Sequence, residues 1–207
     1  MQRSWQKRCE PGAASIWSTI ERTLVIEKNI VIIALFTALI AALGLVPKFT
    51  LVSGIPITAQ SMGIMLCGTA LGSRRGGLAV LLFLLLVVLG LPILAGGRGG
   101  LGVFGTPWAG FLFGFPFAAF VAGLIMERWR SDNIPLVAGA AAVIGGIGAL
   151  YLIAVPYYMV ATRSGLDQAL MTAMLPFMPG DFLKAVLTGY ITAGLAKARP
   201  DSLLSRC

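Results

Sequence analysis

"SRRGGLAVLLFLLLVVLGLPILAGGRGG", residues 73–100, starts with the basic pair Arg74 and Arg75 and carries no further charge until Arg98. The uncharged run between them, residues 76–97, is mostly leucine, valine, alanine and glycine. As a helix rising 1.5 Å per residue, about 19 residues reach roughly 28 Å, close to one hydrocarbon core. The run therefore reads as a membrane span with arginines at one end and the glycine-rich turn "AGGRGG" at the other. Marking every Asp, Glu, Lys and Arg divides the rest of the chain in the same way, with uncharged runs at 29–47, 49–73, 99–126 and 133–162.

Within these runs the sequence predicts helices near 29–46, 57–72, 76–91, 108–126 and 134–158. A sixth near 180–197 completes the pattern, although it holds Asp181 and Lys184. The expected fold is all-α, a polytopic membrane protein with six transmembrane helices. Composition agrees: of 207 residues 57% are hydrophobic and 12% charged, where a soluble domain has about 25% charged. The mean hydropathy is +0.89.

The basic residues set the orientation. Placing the N-terminus inside puts Arg3, Lys7, Arg8, Arg22, Lys28, Arg74, Arg75, Arg128, Arg130, Lys197, Arg199 and Arg206 on the cytoplasmic side. The outer loops then hold Lys48, Arg98 and Arg163, and Lys184 lies in the sixth span. The positive-inside rule favours this arrangement, with both termini in the cytoplasm. It also accounts for the net charge of +8, so no nucleic-acid partner is needed to explain it. Three parts are expected: a cytoplasmic N-terminal extension over 1–28, a six-helix substrate-binding domain over 29–198, and a cytoplasmic tail over 199–207. The extension lacks the apolar core and cleavage site of a signal peptide, and "SIWSTIERTLVI" reads as a short interfacial helix within it.

Several chemistries find no residues. There is no histidine, and Cys9, Cys67 and Cys207 are far apart in sequence, so neither a metal site nor a disulfide framework is expected. No paired carboxylate or activated nucleophile stands in the spans, which argues against an enzyme and its catalytic residues. "GRGGLG" at 97–102 matches a dinucleotide-binding fingerprint letter for letter, but it lies between spans rather than in a βαβ unit. No P-loop is present, and no cofactor is expected.

Asp181 and Lys184 are the candidates for a site. Taken alone, "MPGD" is a turn with a helix N-cap, and Lys184 snorkels to the interface. The orientation changes this reading, because the sixth helix enters from the outside and both charges then share the outer surface with Arg98. Two cations and one carboxylate suit a small organic anion that also carries an N–H donor. Gly97 and Gly99, flanking Arg98, offer close backbone approach or positive φ. Phe104, Trp108, Phe111 and Phe113 form either an interfacial belt, the preferred reading, or a ligand wall. Ala34, Ala38 and Ala42, four residues apart on the first span, permit close packing against another helix, in the chain or in a partner.

Taken together, "PITAQS", "GSRRG", "LPILAGGRGG" and "LPFMPGDFLKAVL" resemble the BioY family, the biotin-specific substrate-binding (S) components of energy-coupling-factor vitamin transporters. The resemblance runs from about residue 34 to 196, with "GTPWAG" departing from the family's usual "GPTGG". It implies biotin uptake across the bacterial inner (cytoplasmic) membrane by a multi-pass protein without its own ATPase. The implied partners are a membrane coupling (T) subunit and ABC ATPase subunits, with a solitary mode known for some members. Biotin contacts map onto Arg98, Asp181 and Lys184, and the coupling subunit onto Ala34, Ala38 and Ala42. Which cation holds the biotin carboxylate stays open. The alternatives are an S component for thiamine or riboflavin, a polytopic membrane enzyme, and an assembly subunit without a ligand.

Overall fold

The computed structural model describes residues 11–46, 49–50, 56–198 and 203–206. Lys48, Arg199, the first ten residues of the expected extension and most of the expected tail lie outside them. Helix α1 spans Pro11–Leu45, α2 Gln60–Leu71, α3 Ser73–Val88, α4 Ala109–Arg128, α5 Ile134–Ala141, α6 Leu150–Thr162, α7 Leu166–Ala173 and α8 Met178–Ala198. A π-helical segment, Ala142–Ala149, joins α5 to α6 without a break. Short 3-10 turns occupy Leu101–Gly105 and Leu204–Arg206. Among the described residues a two-residue antiparallel ribbon, Phe49–Thr50 with Pro56–Ile57, lies between α1 and α2.

Three helical stretches are long and apolar enough to cross a bilayer: Ile26–Leu45, Ala109–Arg128 and Ile134–Thr162. The pair α7 and α8, bent by 54°, counts as a fourth if it forms one broken span. Helix α2 is shorter, and nearly all of it is buried inside the protein. Apolar side chains also point outward, with Leu152 76% and Val160 81% exposed, as expected of helices whose outer face meets lipid.

The boundaries differ from the sequence expectation at four places. α1 begins at Pro11, because nothing between Ala13 and Leu43 breaks a helix and Pro suits a first turn. The second and third helices meet at one residue, Gly72, whose φ of +86° only glycine adopts readily. α7 was not expected. It ends where Met174 leaves helical geometry before "LPF". The fifth span contains the π segment, where Gly145 lies against the α4 backbone at Ala118 and Ala122 and Gly146 against the Met65 side chain.

The Gly72 joint is held from α4. A Cβ on Gly123 would meet the Gly72 carbonyl carbon and the Ser73 nitrogen, so the two backbones touch. One turn on, Glu127 accepts from the Ser73 N–H at 2.7 Å and from its hydroxyl at 2.9 Å, satisfying the start of α3. The main core lies between α1, α2, α3 and α4, around Ile40, Ile64, Leu71, Val80, Phe83 and Leu112. A second cluster joins Met65, Tyr151 and Ala185, and a third closes the other end around Met126, Val137 and Leu203.

This packing separates two glycines of similar sequence context. A Cβ on Gly77 meets nothing closer than 3.9 Å. Gly77→Ala is expected to leave thermal unfolding in detergent unchanged or raised, by up to about 1 kcal/mol. Gly123→Ala is expected to cost about 1–3 kcal/mol, because two backbones must separate. Equal unfolding temperatures for the two variants would contradict the described joint.

Candidate functional site

A cavity of about 370 Å³ opens between the start of α2, the loop at 89–100, the first turns of α4, the start of α6 and the start of α8. Its polar end is built on α8. That helix begins at Met178, so Asp181 sits in its first turn with its own N–H bonded to the Phe177 carbonyl and does not cap. Three residues apart on a helix is one face, and Lys184 Nζ reaches Asp181 Oδ1 at 2.8 Å. Both residues are buried, 6% and 9% exposed.

Two further helices complete this cluster. From α2, Ser61 accepts from Lys184 Nζ at 2.9 Å. From α6, the Tyr151 hydroxyl donates to Asp181 Oδ2 at 2.7 Å. Both carboxylate oxygens are thus engaged, while each keeps lone-pair capacity. Lys184 makes two hydrogen bonds among the described residues, leaving one ammonium N–H. A buried ion pair is tolerable only with such extra bonds, since desolvation otherwise costs several kcal/mol per ion. The cluster is electrically neutral, yet it still offers a donor and acceptors to a ligand.

The opposite side is the glycine loop. Gly96, Gly97 and Gly100 have φ of +85°, +68° and +81°, and a Leu94–Arg98 backbone bridge closes the turn. Gly97 and Gly99 shape the loop rather than line the cavity: Gly97 needs its positive φ, and a Cβ on Gly99 would run into the Leu91 carbonyl. Arg98 lines the cavity and is exposed, which puts it at the rim. Gln60 ties the loop to α2. Its amide nitrogen donates to the Ile93 carbonyl at 3.0 Å, and its oxygen accepts from the Ala95 N–H at 3.0 Å.

The walls are aromatic. Trp108 faces Tyr158, Phe111 and Phe177 with ring centroids 5.2, 6.0 and 6.1 Å away, and Phe111 meets Tyr151 edge-on. Trp108 and Phe111 therefore belong to the wall, whereas Phe104 and Phe113 pair with each other and Phe113 with Tyr157. Among the described residues no group of three metal-ligating side chains gathers.

The structure thus brings together Asp181, Lys184 and Arg98 around one cavity, and leaves Ala34, Ala38 and Ala42 exposed on α1, away from it. Sequence reasoning missed Gln60, Ser61 and Tyr151. The first two were legible as a polar pair opening an apolar helix. Tyr151, inside "GALYLIAV", carried no local signal.

A family model described as the BioY family matches residues 16–201. The chain belongs to the BioY family. Among BioY relatives, the biotin transporter BioY of Rhodobacter capsulatus is 49% identical, over 87% of this chain and 99% of that protein. That of Rhizobium etli is 46% identical, over 79% and 90%. The crystal structure of the S-component for biotin from an ECF-type ABC transporter superposes with a TM-score of 0.74 at 31% identity, covering 82% of this chain and 91% of that one.

The paired charges make a specific stability pattern. Asp181→Asn or Lys184→Met alone leaves a buried charge without its partner and is expected to destabilise by about 3–5 kcal/mol. The double variant is expected to lose less than either single one, measured by thermal unfolding in detergent without ligand. Additive losses would mean that the two charges do not compensate each other.

Proposed function

We propose that this protein is the biotin-binding membrane subunit of a bacterial uptake system, the S component of an ECF-type transporter, and that it lies in the cytoplasmic membrane. The observation that carries the reading is the buried Asp181–Lys184 pair facing an aromatic cavity, in a chain whose BioY relatives are named biotin transporters.

Biotin joins a cyclic urea and an apolar bicycle to a flexible carboxylate tail, and the cavity offers a counterpart to each. Asp181 accepts a urea N–H, and the unclaimed N–H of Lys184 donates to the urea carbonyl. Trp108 and Phe111 cover the apolar rings. The carboxylate, the most hydrated group, stays at the rim with exposed Arg98. This assignment follows burial: a neutral urea adds no charge to a neutral buried pair, whereas a carboxylate there would leave net charge in low dielectric.

The membrane arrangement belongs to the same proposal. Six crossings are supplied by α1, α2, α3, α4, the α5–α6 unit and α8, with both termini in the cytoplasm and the cavity facing out. α2, about 18 Å long, need not match the bilayer because protein surrounds it. The exposed Ala34, Ala38 and Ala42 offer α1 a flat face for the coupling subunit, which with its ATPases would supply the energy. An S component for thiamine or riboflavin would keep this architecture and change the walls.

Two measurements check these assignments. In labelled-biotin binding to purified protein, Asp181→Ala and Lys184→Ala are expected to weaken affinity at least about 100-fold. Arg98→Ala is expected to weaken it about 10-fold, and not to weaken binding of biotin amide. Displacement of biotin by thiamine or riboflavin at equal concentration would assign another vitamin. Separately, Ala38→Leu is expected to reduce co-purification with the coupling subunit several-fold at unchanged biotin affinity. Full co-purification would remove that face from the interface.

A further inference from the structure

Gln60 stands in the first turn of α2 beside the cavity, yet its amide is spent on backbone. Nε2 donates to the Ile93 carbonyl at 3.0 Å and to the Ile40 carbonyl at 3.5 Å, and Oε1 accepts from the Ala95 N–H at 3.0 Å. Both amide protons and one side of the oxygen are therefore taken. The side chain is 4% exposed, so a lost partner here costs more than it would in water.

The residues gripped by these bonds carry Arg98. Ile93 and Ala95 flank Leu94, and Leu94 closes the rim turn. Its N–H donates to the Arg98 carbonyl at 3.0 Å, and its own carbonyl accepts from the Gly97 N–H at 2.9 Å and the Arg98 N–H at 3.4 Å. Leu94 is itself buried in the main core. α1 closes the same knot from behind, where a Cβ on Gly44 would run into the Ile93 carbonyl and the Gln60 amide nitrogen. Past Arg98 the chain is fixed again, by the Gly100 N–H donating to the Val87 carbonyl at 2.8 Å. A glutamine on one helix thus sets the backbone of an arginine on the loop opposite.

We propose that Gln60 is a positioning residue for the ligand's carboxylate. It fixes the turn at 93–98 so that Arg98 is presented at the rim, and so decides how strongly the site prefers an anion to its neutral analogue. This role rests on the assignment of the carboxylate to Arg98 in the uptake reading above. An exposed arginine gains little from a carboxylate if its own backbone must first be ordered, because the entropy cost offsets a contact of ordinary surface strength. With the turn already clamped, the ordering belongs to folding and not to binding. The buried polar end is built on α8, α2 and α6 and does not use this turn. Loss of the clamp therefore removes the preference for the anion and leaves the urea end in place.

The test compares biotin with biotin amide on full-length protein in detergent. Gln60→Met keeps a long side chain and removes all three hydrogen bonds. Gly44→Ala keeps every hydrogen-bonding group and presses on the same knot from α1, so it carries the same comparison should Gln60→Met not fold. Gln60→Met is expected to weaken biotin about tenfold, as Arg98→Ala does, with biotin amide within about twofold of wild type. Gly44→Ala is expected to act in the same direction, severalfold. In the Arg98→Ala background, Gln60→Met is expected to add less than about twofold, because the group it positions is gone. A second readout needs no ligand. Trypsin cleavage after Arg98, followed by fragment mass, is expected to be severalfold faster in both variants, since a protease needs a locally opened segment.

Equal weakening of biotin and biotin amide, or full additivity with Arg98→Ala, would make Gln60 a packing residue and overturn the proposal. Wild-type affinities or an unchanged cleavage rate in both variants would do the same. A protein that bound neither ligand would sink the uptake reading, while the cleavage rate would still answer for the clamp.

Discussion

A carboxylate and an ammonium 2.8 Å apart, both nearly sealed from water, set the terms for the rest of this molecule. Neither charge survives there alone, and the pair survives because Ser61 and Tyr151 bring hydroxyls from two other helices. That requirement fixes α8 against α2 on one side and α6 on the other. It also fixes the depth at which each helix starts, since Ser61 and Asp181 both lie in first turns. The cavity is the space left above this three-helix knot, roofed by a loop that Gln60 anchors to the same turn of α2.

How the bundle holds that knot is a matter of small residues. Gly68 and Gly123 let α2, α3 and α4 approach to backbone contact, and Gly189 does the same for α8 and α5. In an apolar solvent, shape complementarity replaces the hydrophobic effect as the force between helices, so glycines there contribute packing rather than flexibility. The positive-φ glycines of the 96–100 loop do a different task, turning the chain within a few residues so that Arg98 faces the rim.

What the sequence made legible follows from this physics. Uncharged runs between charges marked the helices, because an unpaired charge in lipid is costly whatever the fold. The same cost singled out Asp181 and Lys184, and loop charge paired them with Arg98. The Gly72 joint, α7 and the π segment were hidden, because each depends on a tertiary contact: Glu127 with Ser73, the bend before α8, and Gly145 against α4. Tyr151 was hidden for the same reason, since a tyrosine in an apolar run looks like any core residue until Asp181 stands opposite its hydroxyl. Trp108 misled, because a tryptophan near a helix end reads as an interfacial anchor when no wall is in view.

The π segment has a consequence of its own. Residues 142–149 sit between the α5 face that meets Gly189 and the α6 turn that presents Tyr151, so they set the angular phase between the two. Wound as an ordinary α-helix, at about 3.6 residues per turn instead of the wider π winding, the same eight residues would turn everything beyond them to another direction. Here that would swing the tyrosine hydroxyl off the carboxylate and tip Leu150 out of the cavity wall while changing no residue in either. Over these eight positions the site depends on how the chain is wound as much as on the side chains it presents.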